Sequence, residues 1–116
     1  MKRIYHLSTC STCKKIIQEI QPSSDVQLID VKQELMDAET LDWLKSKTGS
    51  YEALFSKRAI KFRELPPNAI PIQDNDFRKL LLEEYTFLKR PVCIDGENFS
   101  VGNTKNEVAK AIQFYK

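Results

Sequence analysis

The pattern of apolar positions changes after the first seven residues of the chain. The segment "RIYHL" (residues 3–7) mixes β-branched and aromatic residues, which predicts a short strand. The next apolar positions recur at intervals of three and four, as in an amphipathic helix: Cys13, Ile16, Ile17 and Ile20. Pro22 would end this helix, and "VQLIDV" (residues 26–31) predicts a second strand, apolar enough to be buried. Strand, helix and strand in this order predict a βαβ unit with parallel strands.

The middle of the chain has a helical pattern in several pieces. The piece "AETLDWLKSKTG" is stopped by Gly49, and "SYEALFSKRAIKFREL" is stopped by the pair Pro66–Pro67. A third piece, "DNDFRKLLLEEY", is closed by Glu83 and Glu84. These three pieces predict a block of helices between the first strands and the last ones.

The last part of the chain predicts a hairpin and a helix. The segments "PVCID" and "NFSVG" indicate two short strands joined by a tight turn at Asp95–Gly96. The final helix is "TKNEVAKAIQFY", with Thr104 as its cap and Glu107 at the reciprocal capping position. The order β-α-β, helices, β-β-α predicts a small α/β sheet with a helical insertion. We expect one domain spanning residues 1–116, with the insertion at about residues 37–85.

Composition narrows the classes of function. Eighteen basic and sixteen acidic residues give a net charge of +2, and no basic block indicates direct nucleic-acid binding. No apolar stretch reaches the length of about 18 residues that a membrane span needs. The apolar run at the N-terminus is too short for a signal peptide. We therefore expect a cytoplasmic protein, without membrane contact, that acts as a monomer.

The segment "STCSTCKK" (residues 8–15) carries the candidate chemistry. In a reducing compartment, a cysteine pair is more often catalytic or metal-binding than structural. Cys10 lies just before the predicted helix, which Ser11 or Thr12 would cap, and the helix end would lower the pKa of its thiol. Cys13 lies one turn further on, facing roughly the same way. This arrangement predicts Cys10 as the attacking thiolate and Cys13 as the resolving thiol.

Two other interpretations of the cysteines stay open. A zinc site usually needs two ligand pairs, whereas this chain offers one pair, the distant Cys93 and the single histidine, His6. The prediction is therefore that there is no metal. The two cysteines could also be small buried residues without chemistry. Cys93, in the alternating segment "PVCI", is predicted to be a core residue.

Four segments resemble the arsenate reductase (ArsC/Spx-type) family of the thioredoxin-like superfamily, and together they cover nearly the whole chain. They are "YHLSTCSTCKKI", "LFSKRAIKFREL", "LLLEEYTFLKRPVCID" and "FSVGNTKNEV". The resemblance implies a thioredoxin-like mixed sheet in which Pro91 follows a cis peptide bond and faces the active cysteine. It also implies that Arg58 and Arg90 gather around Cys10 and hold an oxyanion, for which guanidinium groups are rigid bidentate donors.

The resemblance also implies a function, although this chain departs from arsenate reductases at two points. Arsenate reductases look like "IGRPPE" where this chain has "VGNTKNE", so Asn103 replaces a third arginine, and many have one cysteine in the first loop. We therefore expect a thiol–disulfide oxidoreductase with weak or absent arsenate turnover. It would bind no cofactor and use glutathione as a co-substrate, with glutaredoxin or a thioredoxin-type protein as reductant. The alternative is an Spx-like redox regulator that binds the C-terminal domain of the RNA polymerase α subunit, although Gly49 lies one residue further from Arg58 than in that branch.

Overall fold

A computed structural model describes residues 1–116. The chain forms two compact units: a sheet unit of Met1–Glu34 with Arg90–Lys116, and a helical unit of Leu35–Lys89. The strands are β1 Lys2–His6, β2 Gln27–Asp30, β3 Val92–Asp95 and β4 Asn98–Val101. The helices are α1 Ser11–Ile20, α2 Ala38–Thr48, α3 Ile60–Arg63, α4 Asp74–Glu83 and α5 Lys105–Phe114. No helix is long and apolar enough to cross a membrane.

The sheet unit contains one mixed four-stranded sheet in the order β2-β1-β3-β4. Strand β1 pairs with β2 in parallel, and β3 pairs antiparallel with both β1 and β4. The parallel pair is joined by α1, as a βαβ unit requires. This topology confirms the predicted α/β fold, with a β-α-β half, a β-β-α half and helices inserted between them. It is consistent with a thioredoxin-like sheet.

The core of the sheet unit is formed by its strands together with α1 and α5. Ile4 on β1 and Cys93 on β3 are fully buried, and they pack with Ile16 of α1 and Ala111 of α5. Cys93 is therefore a core residue, as predicted. Strand β2 was expected to be buried, but it lies at the edge of the sheet, and its first two residues, Gln27 and Leu28, are exposed. An edge strand has a neighbour on one side only, which the apolar character of the segment does not reveal.

Two local predictions near the C-terminus differ from the structure in detail: one turn is shifted by one residue, and one carboxylate has a different partner. The hairpin turn lies at Gly96–Glu97, because Asp95 pairs with Asn98. Thr104 caps α5 by accepting from the Glu107 N–H at 3.3 Å, as expected. The Glu107 carboxylate instead accepts from the Val101 N–H at 2.9 Å, so it ties the start of α5 to the end of β4.

The helical unit departs furthest from the predicted pattern. Helix α2 ends at Gly49, which has φ 99° as expected for a glycine C-cap. The helix predicted over residues 50–65 is wrong: that segment contains a 3₁₀ turn at Glu52–Leu54 and the short α3. Phe55 between them is extended and forms an antiparallel bridge with Leu88. Tertiary pairing of this segment therefore overrides its local helical preference.

Side chains hold this irregular segment in place. The Phe55 ring contacts three other aromatic rings, with centroids 4.9–5.6 Å away: Phe62, Phe77 and Phe87. The Asp74 carboxylate accepts from the N–H groups of Tyr51 and Glu52 at 3.0–3.1 Å. The hydrogen bonds to Asp74 take the place of helical ones at these two N–H groups, and the ring contacts pack the segment.

Candidate active site

The cysteine segment begins with a tight turn at the end of β1. The Cys10 N–H donates to the Leu7 carbonyl at 2.9 Å, so Ser8 and Thr9 are the central residues of the turn. Cys10 has an extended backbone and its carbonyl accepts from the Lys14 N–H at 3.2 Å. Cys10 is therefore itself the N-cap of α1, and the prediction that Ser11 or Thr12 caps this helix is wrong. Both of those residues already belong to the helix.

The N-cap position exposes the Cys10 sulfur to the free N–H groups of the first helical turn. Partial burial of Cys10 raises its pKa, but this is outweighed by the N–H and S–H of Cys13 and the N–H of Thr12, which favour the charged form of the sulfur. The positive charge of Arg90 acts in the same direction, and the net result is a lowered pKa for Cys10. The Cys10 side chain does not form a capping hydrogen bond of ordinary geometry. The helix end is therefore open to a thiolate.

Cys13 has the opposite electrostatic environment. Its side chain is 1% exposed, and burial raises the pKa of its thiol to about 11. The charge on Cys10 and the hydrogen bond between the two sulfurs raise this pKa further, whereas the Leu7 N–H and the charge of Arg90 lower it. Of the two thiols, Cys10 is therefore the one that ionises first as the pH rises.

Arg90 and Pro91, which lead into β3, also belong to the sheet unit. The Arg90–Pro91 peptide bond is cis, as the resemblance implied, and Pro91 is buried. The Pro91 carbonyl accepts from the Gly102 N–H at 2.9 Å, which fixes the segment that leads into β3. The charge of Arg90 lowers the pKa of both Cys10 and Cys13. The structure thus brings Cys10, Cys13 and Arg90 together.

Three other residues singled out in the sequence are not among these three. Arg58 belongs to the helical unit, where it is exposed just before α3. Its role as an oxyanion ligand stays a prediction. Asn103 is exposed in the loop between β4 and α5. Cys93 is fully buried, and burial raises the pKa of its thiol to about 11, although a hydrogen bond from Ser100 opposes this.

Residues 1–116 offer no suitable set of metal ligands. No group of three or more His, Cys, Asp or Glu side chains is arranged to hold a metal ion. A structural zinc site normally has four protein ligands, and the absence of a bound metal stays a prediction. The chemistry available to the group is that of thiols and an arginine.

One residue near the site was missed by sequence analysis. The hydroxyl and the N–H of Ser8 in the cysteine turn lower the pKa of Asp30, the last residue of β2. No local pattern indicates this pairing, since an aspartate after a strand is typical of any turn. Only the parallel pairing of β1 with β2 brings Asp30 beside the turn.

Comparison with known proteins assigns the chain to a family. The model of the ArsC family matches residues 5–111, and the protein belongs to that family. A solved structure of an arsenate reductase (ArsC) related protein from Brucella melitensis is 31% identical. The match covers 90% of this chain and 88% of that one, with a TM-score of 0.67.

Other relatives match the chain at lower identity. The global transcriptional regulators Spx 2 of Bacillus anthracis and Bacillus cereus are both 26% identical over 92% of this chain and 83% of their own length. The YffB protein has a TM-score of 0.80 and is 22% identical, with 97% of this chain and 99% of that chain covered. At this identity the YffB likeness shows the fold alone. The relatives thus include both a regulator and a protein related to a reductase.

Proposed function

We propose that the protein is a thiol–disulfide oxidoreductase in which Cys10 attacks and Cys13 resolves. The observation that carries this proposal is the placement of the two thiols: Cys10 is the N-cap of α1, and Cys13 is buried in the first turn of that helix. In keeping with this placement, the pKa of Cys10 is lowered, and that of Cys13 is raised to about 11. A nucleophilic thiol needs to be a thiolate, whereas a resolving thiol needs to stay protonated until it is used. As expected from the sequence, the protein would act as a cytoplasmic monomer.

The first step is attack on a substrate disulfide. The Cys10 thiolate forms a bond to one sulfur of the substrate while the substrate S–S bond breaks, and the other substrate thiolate leaves. The product is a mixed disulfide on Cys10. The N–H groups of Thr12 and Cys13, which stabilised the Cys10 thiolate, lose their charged acceptor in this step.

The second step uses the change in charge at Cys10. Once the Cys10 sulfur is part of a mixed disulfide, its negative charge no longer raises the pKa of Cys13. Cys13 loses its proton to solvent and attacks the Cys10 sulfur, and the substrate leaves as its second thiolate. The substrate has then gained two electrons, and the protein holds a Cys10–Cys13 disulfide. We expect two molecules of glutathione, or the dithiol of glutaredoxin or a thioredoxin-type protein, to return these electrons.

Arginines would bind the anionic part of the substrate. Arg90 acts on both sulfurs and is suited to hold a glutathione carboxylate or another oxyanion. Arg58 is proposed as a second ligand of the same anion. Asn103 stands where arsenate reductases have a third arginine, and a missing charged donor costs about 3 kcal/mol in transition-state stabilisation. We therefore expect weak or absent arsenate turnover, and an increase in Asn103→Arg.

The proposal is tested by locating the disulfide and the trapped intermediate. The wild-type protein is oxidised mildly and mapped by mass spectrometry, which should show a bond between Cys10 and Cys13 with Cys93 free. Cys13→Ser should stop at a mixed disulfide of Cys10 with glutathione, and Cys93→Ala serves as the matched control that still closes the pair. A bond to Cys93, or no glutathione on Cys10, contradicts the proposal.

A second candidate is favoured by the two Spx 2 relatives, which are named transcriptional regulators. In this alternative the same cysteine pair is a redox switch, and the partner is the C-terminal domain of the RNA polymerase α subunit. Gly49 lies near the position of a glycine in the Spx branch. It is exposed, and a Cβ added there would meet no atom within 4 Å. A pull-down with the purified α-subunit domain, run on reduced and oxidised protein, separates the two candidates. Retention that changes with the redox state supports the regulator.

A further inference from the structure

Helices α1 and α5 begin at the same end of the sheet. Strand β1 leads into the cysteine turn and α1, and β4 leads into α5. The register pairs Val92, where β3 begins, with Tyr5 of β1 and with Val101 of β4, so β1 and β4 both end where β3 begins. The two helices contact each other and share one buried cluster. Their N-termini therefore lie on one face of the sheet, at the end where Cys10 is.

Three exposed lysines lie at these two helix ends, and we call them the basic edge: Lys14, Lys15 and Lys105. Lys14 and Lys15 follow the N-cap Cys10 at about 6–8 Å along the helix axis. Lys105 is the first residue of α5. None of the three pairs with a carboxylate, and the lysines that do are Lys2, Lys57, Lys61 and Lys110. The charges of the basic edge are therefore available to a partner.

The carboxylates near the basic edge leave its charge in place. Glu107, in the first turn of α5, already pairs with Lys110 at 3.3 Å. Helix α1 has no acidic residue in its first turn, and its one carboxylate, Glu19, lies in the last turn. Asp30 and Glu34 follow the edge strand β2, on the far side of β1 from β4 and α5. The surface at the start of α1 and α5 is therefore positively charged.

The charge order of α1 is the reverse of the one that stabilises a helix. A helix N-terminus carries a partial positive charge, so acidic residues are favourable there and cations are favourable at the C-terminus. Helix α2 follows this rule, with Glu39 in its first turn and Lys45 and Lys47 in its last, and α4 begins with two aspartates. Helix α1 has two lysines near its start and Glu19 near its end. Helix stability alone does not account for these lysines.

We propose that the basic edge is a docking surface for an acidic polypeptide whose disulfide is attacked by Cys10. This inference rests on the proposed function and names the class of its substrate. A small anion needs one rigid bidentate donor, which Arg90 can supply. Lysines on two helices are separate, flexible point charges, and they suit a partner with several acidic residues. A surface of one sign raises the local concentration of an oppositely charged partner.

Among polyanions, an acidic polypeptide fits this surface better than a nucleic acid. Nucleic-acid binding proteins carry a strongly basic face, whereas this chain has a net charge of +2 and three lysines at the basic edge. The charge is also concentrated beside a reactive thiol, which a disulfide-bonded protein can use and a nucleic acid cannot.

The test uses three peptides of equal length, each with one cysteine bonded to 2-thiopyridine. The residues on both sides of that cysteine are glutamates, glutamines or lysines. The Cys10 thiolate bonds to the peptide sulfur, the peptide–pyridyl S–S bond breaks, and pyridine-2-thiolate leaves and is measured by its absorbance. Cys13 then attacks the Cys10 sulfur, its proton passes to the peptide thiolate, and the peptide leaves as a thiol. The mixed disulfide has gained two electrons, and the protein holds a Cys10–Cys13 disulfide.

The wild-type protein should prefer the glutamate peptide. At low ionic strength this peptide should react on the order of tenfold faster than the glutamine peptide, and the lysine peptide should be the slowest. The preference should disappear at about 1 M salt, where the screening length falls to about 3 Å. Because the rates are compared as a ratio, any change in the thiolate fraction of Cys10 cancels.

A double variant, Lys14→Gln with Lys15→Gln, removes two charges of the basic edge. The ratio of the glutamate-peptide rate to the glutamine-peptide rate should fall on the order of threefold, and adding Lys105→Gln should lower it further. The matched control is Lys116→Glu, which changes the net charge by the same amount but lies beyond the other end of α5, and it should keep the wild-type ratio. The double variant should unfold at a urea concentration no lower than that of wild type, since the lysines oppose the helix dipole.

Equal rates for the glutamate and glutamine peptides, or an unchanged ratio in the double variant, overturn the inference and leave the oxidoreductase intact. If no peptide releases pyridine-2-thiolate, the proposed function fails, and binding decides the inference. The glutamate peptide, labelled and with serine in place of its cysteine, is then followed by fluorescence anisotropy. Tighter binding to wild type than to the double variant supports the docking surface, and equal or absent binding overturns it. Displacement by an oligothymidylate at a lower concentration than by the unlabelled peptide also overturns it, because the surface would then favour nucleic acid.

Discussion

The N-termini of α1 and α2 have the same backbone arrangement and different side chains. Each helix follows an N-cap residue with an extended backbone, Cys10 for α1 and Asp37 for α2. At α2 the Asp37 carboxylate accepts from the N–H of Thr40 at 3.0 Å and from its hydroxyl at 2.7 Å. At α1 the Cys10 side chain makes no capping hydrogen bond.

The difference shows how one structural position serves either stability or chemistry. A carboxylate or hydroxyl at the N-cap closes the helix end and typically adds about 1 kcal/mol to stability. A cysteine leaves the same N–H groups open, so they stabilise a thiolate and lower its pKa. The helix end in the sheet unit thus has no side-chain cap, whereas the equivalent end in the helical unit is closed by Asp37.

The largest expected effect comes from Cys10→Ser, which gives α1 an ordinary cap. The rapidly alkylated thiol should disappear, because the pKa values of Cys13 and Cys93 are about 11. The variant should also be more stable by about 0.5–1 kcal/mol, since a serine oxygen caps a helix well. Peptide mapping after alkylation at pH 6 and urea unfolding at pH 5 measure the two effects. Fast labelling that persists, or a loss of stability, would contradict the comparison of the two helix ends. Ser11→Ala is the control and should leave the labelling unchanged.

A smaller effect is expected from Asp37→Ala at the other helix end. Loss of the bonds to Thr40, which is 4% exposed, should lower the free energy of unfolding by about 1–2 kcal/mol. The pKa of Cys10 should not change. Urea unfolding and the pH profile of alkylation check both statements, and Asp37→Asn, which keeps one accepting oxygen, should cost less. A shifted Cys10 pKa would mean that the two helix ends are not independent.

The smallest effect concerns a carboxylate in the helical unit whose titration should affect stability alone. The Arg78 guanidinium, followed by the Tyr51 hydroxyl, lowers the pKa of Asp42 from 3.8 to about 2. Because the folded pKa is the lower one, the ionised carboxylate stabilises the fold above about pH 4. This contribution is lost as the pH falls towards 2.

Asp42→Asn tests this sign. The variant should unfold at lower urea concentration than wild type at pH 7, and the difference should narrow between pH 4 and pH 2. The effect should be modest, since the Asp42–Arg78 pair is partly exposed. Glu39→Gln, on the same helix, is the control. A difference that stays constant down to pH 2 would show that Asp42 acts through shape and not through its charge.

The local patterns of the chain determined much of the sheet unit. Helix α1, the parallel strands around it, the hairpin and the cap Thr104 could all be read from spacing, since each depends on neighbouring residues. The position of Cys10 before a helix was sufficient to predict the direction of its pKa shift. The cis bond before Pro91 was predicted from the resemblance alone.

Tertiary structure decided what depends on residues far apart in the chain. The segment around Phe55 has a helical pattern but is extended, because it bridges to Leu88. Which strand lies at the sheet edge follows from the strand order, and apolar content alone does not reveal that order. Asp30 lies beside His6, just before the cysteine turn, only because β2 pairs with β1 in one register. Periodicity and capping are local properties, whereas pairing depends on the free energy of the whole fold.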